Sequence, residues 1–348
     1  MTRARANIVA VNHPGTYHLI TRCVRRERLL DRGERKVWLC RGLANWLSHM
    51  GIDLLAFSVM GNHLHLVVRL RPDVVAGWSQ LQVARHALAV LPIRSGPGLE
   101  PLAVTAAVLE RYAGNEPWLA QQRQRLSSPS WLLRLVKQEI SRRANLEDGC
   151  TGHFWESRFT SVALLDAAAT LACMVYVDLN PVRAGLVRDP GRAEFTSFRH
   201  RVARTKTTGR ADNEVSDASL GRQLVALPKC APYDSLNGEP TAWSISESNY
   251  VALVDMTAVC STRNGRSAVS NAWSTVESLG IEPKAWSDTM ARGGAMSGSV
   301  VGGPEARRRW CDSVGQRWAA DKSGLWLFYL RMSFIGFFYL RMSFIGFL

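Results

Sequence analysis

The chain has 348 residues, with 43 Lys and Arg against 29 Asp and Glu, and so a formal charge of +14. That length exceeds the roughly 100 to 200 residues of one domain, so a second unit is expected beside the first. The positive excess favours a polyanionic partner, nucleic acid first, while seven scattered cysteines with no CxxC pair read as reduced thiols rather than a disulfide or zinc framework. The start MTRARANIVAVNHPG has no apolar run of signal-peptide length, so export is not expected and a cytoplasmic location is.

In chain order, Thr16 to Cys23 alternates like a strand, and Glu34 to His49 repeats Val37, Leu39, Leu43, Trp46 and Leu47 at helical spacing. Ile52 to Met60 reads as a buried strand. Gly61-Asn62 is turn chemistry leading into His63 to Leu70, so the two runs form a hairpin. A helix is expected over Asp73 to Leu91, then an insertion from about 92 to 128, rich at its start in Pro, Gly and Ser. Trp131 to Asn145 is amphipathic, Gly149 to Phe159 is a turn or short extended segment, and Asp166 to Asn180 is a capped helix ending against Pro181. These elements make one unit over 1–200.

Beyond it, 201–239 is polar and weakly periodic and reads as a linker. Residues 240–327 carry Trp243, Trp273, Trp286, Trp310, Trp318 and Trp326 and are expected to form a mainly helical accessory region. The last stretch, 328–348, repeats FYLRMSFIGF twice and is read as a duplicated, non-catalytic tail; Arg331 and Arg341 make it a poor membrane span.

Four side chains are candidates for the chemistry. His63 and His65 alternate on one strand and so project from one face, with Leu64, Leu66, Val68 and Leu70 on the other. A neutral imidazole pair can share a divalent ion; taken alone, an HxH pair is more often a surface or core pair. Tyr176 and Asn180 lie four apart on one helix face, where core packing and a C-terminal cap are the ordinary roles. Together with the histidines they also supply a nucleophilic hydroxyl and a neutral oxygen ligand.

The stretches GNHLHLVV, GHFWESRFTSVALLD and ACMVYVDLNPVRAGLV resemble the REP-associated tyrosine transposases of the single-tyrosine HUH superfamily, over about Tyr17 to Val187. YVALVDMTA at Tyr250 resembles the C-terminal extension of longer members. The resemblance implies an α+β, ferredoxin-like catalytic domain. Its antiparallel sheet carries helices on one face and the tyrosine helix on the other, with a mainly helical C-terminal extension beyond.

The resemblance also implies His63 and His65 as metal ligands, Tyr176 as nucleophile, Asn180 as third ligand, and Mg²⁺ or Mn²⁺ as cofactor. Arg22, Arg25 and Arg26 in the basic N-terminal segment, and Arg158 and Arg183 inside the matching motifs, are candidate DNA contacts, with structural salt bridges the competing role for the last two. Departures from the pattern are His153, where a basic residue is usual, and the duplicated tail.

The function this implies is cleavage and rejoining of single-stranded DNA beside a hairpin through a 5′-phosphotyrosine link, by a monomer or homodimer without a membrane role. Two alternatives stand beside it. One is a hairpin-binding protein without catalysis; the other is a metal-dependent nuclease using water. A replication initiator with a helicase module is disfavoured, since no GxxxxGK[ST] occurs.

Overall fold

In the computed structural model the described residues are 13–95, 100–101, 103–206, 218–226, 245–261, 270–279, 281–291, 299–313 and 315. The duplicated tail and most of the stretch read as a linker lie outside them, as do Trp243, Trp318 and Trp326.

The chain begins β1 (Gly15–Arg22), α1 (Arg35–Leu47), β2 (Ile52–Val59) and β3 (His63–Leu70). Next come α2 (Pro72–Ala76) and α3 (Gln80–Val90), where the apolar period predicts one continuous helix. Gly77 caps the first, and Ser79 opens the second with a capping box to Gln82, so local cap chemistry splits the run.

The insertion holds a small hairpin, β4 (Arg94–Ser95) with β5 (Glu100–Pro101), and helices α4 (Ala106–Ala113) and α5 (Glu116–Leu126). Then follow α6 (Pro129–Glu147), β6 (Thr160–Leu164), α7 (Ala167–Asp178) and the short α8 (Asn180–Arg183). β6 is a strand that the pattern around Phe159 does not announce.

The main sheet has the order β2-β3-β1-β6-β7, where β7 is Val300–Val301. The first four strands pair antiparallel, and β7 joins β6 in parallel. With α1 after β1 and α6 between β3 and β6, this is the β-α-β-β-α-β order of a ferredoxin-like domain. One face packs Leu19, Leu64, Leu66, Val68 and Leu70 under α1 and α6. That pairing of helices is stapled by Arg35, fully buried, whose guanidinium binds Glu147 (2.7 Å), Asp148 and the Leu29 carbonyl (3.1 Å).

Beyond residue 196 the chain forms α9 (Ser197–Lys206), α10 (Ala218–Arg222), α11 (Glu247–Ser261), α12 (Ser270–Glu277), α13 (Pro283–Ala291) and, after β7, α14 (Pro304–Ser313). The opposite face of the sheet buries Leu55, Val67, Val162 and Leu164 against α7 and against α9, α11, α12 and α13. Leu220 of α10 and Trp310 of α14 join the first core instead. The C-terminal region is mainly helical, as expected, but it also contributes a strand to the main sheet.

Arg201, placed by its polar surroundings at the start of a linker, instead sits inside α9 and is fully buried. It pairs with Glu247 of α11 (2.9 Å) and donates to the Leu55 carbonyl of β2 (2.7 Å). A buried charge of this kind persists only because its partners are supplied from distant segments, which local composition does not reveal.

Candidate active site on the helix-covered sheet face

Strand parity puts His63 and His65 on the face that looks toward α7, opposite the leucines of β3. Their rings meet edge to face with centroids 4.8 Å apart. His65 is buried, at 2% exposure, while His63 is half-buried at the strand's start.

β1 supplies a third imidazole that no sequence pattern singles out. His18, fully buried, stacks on His65 with centroids 5.0 Å apart, and its Nε2 lies 2.8 Å from His65 Nδ1. A lone histidine in an apolar strand has no local signal; only its even spacing from Thr16 and Ile20, on the β1 face away from Tyr17 and Leu19, could have placed it.

Each histidine of the pair is held at Nδ1, which leaves Nε2 for other work. Asn62 Oδ1 lies 2.6 Å from His63 Nδ1, while Asn62 Nδ2 donates to the Arg26 carbonyl at 2.8 Å. That assignment puts the His63 proton on Nδ1. Burial pushes His63 down to about 4 and His65 well below the usual imidazole range, with Arg22 adding to the effect on both. Burial likewise pushes His18 down to about 3. All three rings are neutral at pH 7, the state a metal ligand needs.

Tyr176 reaches the same place from α7. The helix follows from an Asp166 N-cap accepting from the Ala169 N–H (2.8 Å) and from a run of small and aliphatic residues, ten of twelve buried. The Tyr176 ring stands edge-on to His65 (centroids 6.0 Å) and to His18 (6.1 Å). Burial raises its phenol above the ordinary value, opposed by the charges of Arg183 and Arg22 and by a hydrogen bond with Asn180. Asn180 also donates from Nδ2 to the Tyr176 carbonyl at 3.2 Å, the capping role, so its Oδ1 is the atom left to act as a ligand.

The candidate arginines divide. Arg22 ends β1 opposite His63 in register and is exposed, so it borders the site. Arg25 and Arg26 follow it with left-handed backbone (φ 53° and 58°), a conformation that costs about 1 kcal/mol or more for a residue with Cβ. Both are exposed, and Asn62 ties their turn to His63. Arg183 lies over the Tyr176 ring, 5.2 Å from its centroid, and donates to the Met290 carbonyl at 3.2 Å. Arg158 is exposed in the irregular segment before β6 and is not among the groups that meet at Tyr176. The aromatic residues Phe154 and Trp155 are core, at 3% and 6% exposure.

The family model for "Transposase IS200 like" matches residues 12–76. The match covers less than a quarter of the chain. The matched stretch spans β1 through α2 and so contains His18, His63 and His65, while Tyr176 lies beyond it. This agrees with the family expected from the motifs. A solved structure described as the REP-associated tyrosine transposase bound to a REP hairpin is similar at 17% identity, with a TM-score of 0.36. The similarity covers 65% of this chain and all of that one. No curated protein matches the chain. Among the described residues no helix is long and apolar enough to cross a membrane.

Proposed function

We propose that this chain is an IS200-like transposase that cleaves and rejoins single-stranded DNA beside a hairpin, with Tyr176 as nucleophile. The observation that carries the reading is the meeting of Tyr176, on α7, with the buried His65, on β3, at 6.0 Å between ring centroids, beside the buried His18.

The donor types, imidazole nitrogen and amide oxygen, are ones a divalent cation accepts. His63 and His65 would hold it through Nε2, with Asn180 Oδ1 as third ligand; neutral nitrogen and oxygen donors suit Mn²⁺ or Mg²⁺ better when phosphate oxygens complete the shell. When bound, Mg²⁺ or Mn²⁺ supplies Lewis-acid stabilisation of the charge that develops on the scissile phosphate. The second contacts, His18 to His65 and Asn62 to His63, are the orienting partners that metal-bound histidines require.

The chain's own residues account for the rest. The Tyr176 oxygen forms a bond to phosphorus as the bond from phosphorus to the 3′ oxygen breaks. The phenol loses one proton and the departing 3′ oxygen gains one, leaving a 5′-phosphotyrosine and a free 3′-hydroxyl. Because the phosphodiester energy is kept, a second 3′-hydroxyl reverses the step and joins new DNA without ATP. Burial works against ionisation of Tyr176, and Arg183 and Arg22 work for it. The exposed Arg22, Arg25 and Arg26 form the basic edge along which a strand would enter.

Incubation with a hairpin oligonucleotide labelled at either end, in Mn²⁺, tests this. The expected products are an upstream fragment with a free 3′-hydroxyl and a downstream fragment, linked through its 5′ phosphate, that migrates with the protein after denaturation. A cleaved strand with no protein attached favours a water-using nuclease. Binding without any cleavage favours a hairpin-binding protein.

A further inference from the structure

The tyrosine helix is held by the C-terminal region at three points along its length. At its start, the Asp166 cap uses its second oxygen, Oδ2, to accept from the Gly303 N–H at 2.7 Å, just after β7. The approach is close: a Cβ on Gly302 would lie 2.8 Å from Leu165 Cβ and 3.2 Å from Asp166 Oδ2. At its end, Asp178 is fully buried and accepts from the Tyr250 hydroxyl of α11 at 2.6 Å, from the Phe198 N–H at 2.9 Å and from the Ser197 hydroxyl. Beyond the end, the Met290 carbonyl of α13 holds Arg183, whose guanidinium covers the Tyr176 ring.

These interactions act on position. Tyr250 is itself fully buried, and the guanidinium of Arg201 lies 5.4 Å from its ring centroid while pairing with Glu247 one turn earlier on α11. The same Arg201 donates to β2, so α11 is tied to the sheet on one side and to α7 on the other. Displacement of α7 along its axis would break hydrogen bonds at both ends, in a buried setting where any polar group without its partner is costly. The register of Tyr176 against His65 is therefore set by residues outside the matched transposase segment.

We infer that the C-terminal region, through Tyr250 on Asp178 and Met290 on Arg183, is a positioning clamp for the nucleophile rather than a detachable accessory module. This rests on the reading of Tyr176 as the nucleophile. Tyr250 and Arg183 are positioning residues in it, acting through Asp178 and the Tyr176 ring.

The test uses the full chain with Tyr250→Phe, which removes one hydroxyl and keeps the ring. Misplacing a nucleophile is costly, so kcat for oligonucleotide cleavage should fall about ten- to a hundredfold while KM stays near wild type. Amide hydrogen exchange in residues 171–178 should rise, with exchange in β1 and β3 unchanged. Arg183→Ala should lose kcat similarly, and Arg183→Lys, which can still reach the Met290 carbonyl, should recover part of it. Wild-type kcat or unchanged exchange in α7 for Tyr250→Phe overturns the clamp, as does a parallel rise in exchange across the whole sheet. Tyr176→Phe in the same assay separates the two readings: if it is inactive while Tyr250→Phe matches wild type, the clamp alone falls. If Tyr176→Phe cleaves normally, both fall.

Discussion

His18 Nε2 lies 2.8 Å from His65 Nδ1, which makes a residue on β1 the orienting partner of a candidate ligand on β3. Ligation through His65 Nε2 requires the Nδ1 proton to be donated to His18. The other His18 nitrogen, Nδ1, is buried with no hydrogen-bond partner among the described residues, so the ring's hydrogen bonding there is to His65. His18→Ala should weaken Mn²⁺ binding about 10- to 100-fold, the usual effect of removing an orienting partner, with the fold retained. Calorimetric titration with MnCl₂ measures it; unchanged affinity would remove His18 from the site.

Acid should unfold the metal-free protein through its histidines. His18, His49, His63, His65 and His86 all have folded values lowered by burial, to about 3 for His18 and about 4 for His63. A depressed folded value means the unfolded chain takes up protons first. The stability these groups contribute is present above about pH 6.5 and is lost as the pH falls through 4 toward 3. Urea midpoints in chelator should drop steadily from pH 7 to pH 4.5; a flat profile over that range would contradict neutral burial.

Arg25 and Arg26 are predicted to trade stability for binding. Both hold left-handed backbone, so replacing either by glycine should raise stability by about 1 kcal/mol. If they neutralise phosphates, the double replacement should also weaken single-stranded DNA binding and lower the salt slope by about 0.7 for each phosphate no longer neutralised. Filter binding across a salt series reads both quantities.

Arg35 should be costly to lose. With its side chain fully buried between Glu147, Asp148 and the Leu29 carbonyl, Arg35→Met leaves Glu147 without its cation and Asp148 with only the longer contact to Arg32 at 3.5 Å. Both keep some water, so the cost should lie near about 3 kcal/mol, the lower end for a broken buried pair. Denaturant unfolding checks it.

The sequence was legible where side-chain period and motif coincide. Alternation in β3 separated His63 and His65 from Leu64 and Leu66, and the Asp166 cap and Pro181 framed the helix that carries Tyr176. What escaped reading depends on distant partners. β6 is five residues long and β7 two, too short to show a period, and each exists because a neighbouring strand pairs with it. Arg201 looks like linker until Glu247 and the Leu55 carbonyl are beside it. His18 gains meaning only from the register that sets β1 against β3.

Mapping the covalent adduct tests the central claim most directly. After reaction with the hairpin oligonucleotide in Mn²⁺, nuclease trimming and proteolysis, mass spectrometry should find a nucleotide phosphate on Tyr176 and on no other tyrosine. A trapped phosphate on a different residue, or an adduct of equal yield in Tyr176→Phe, would contradict it.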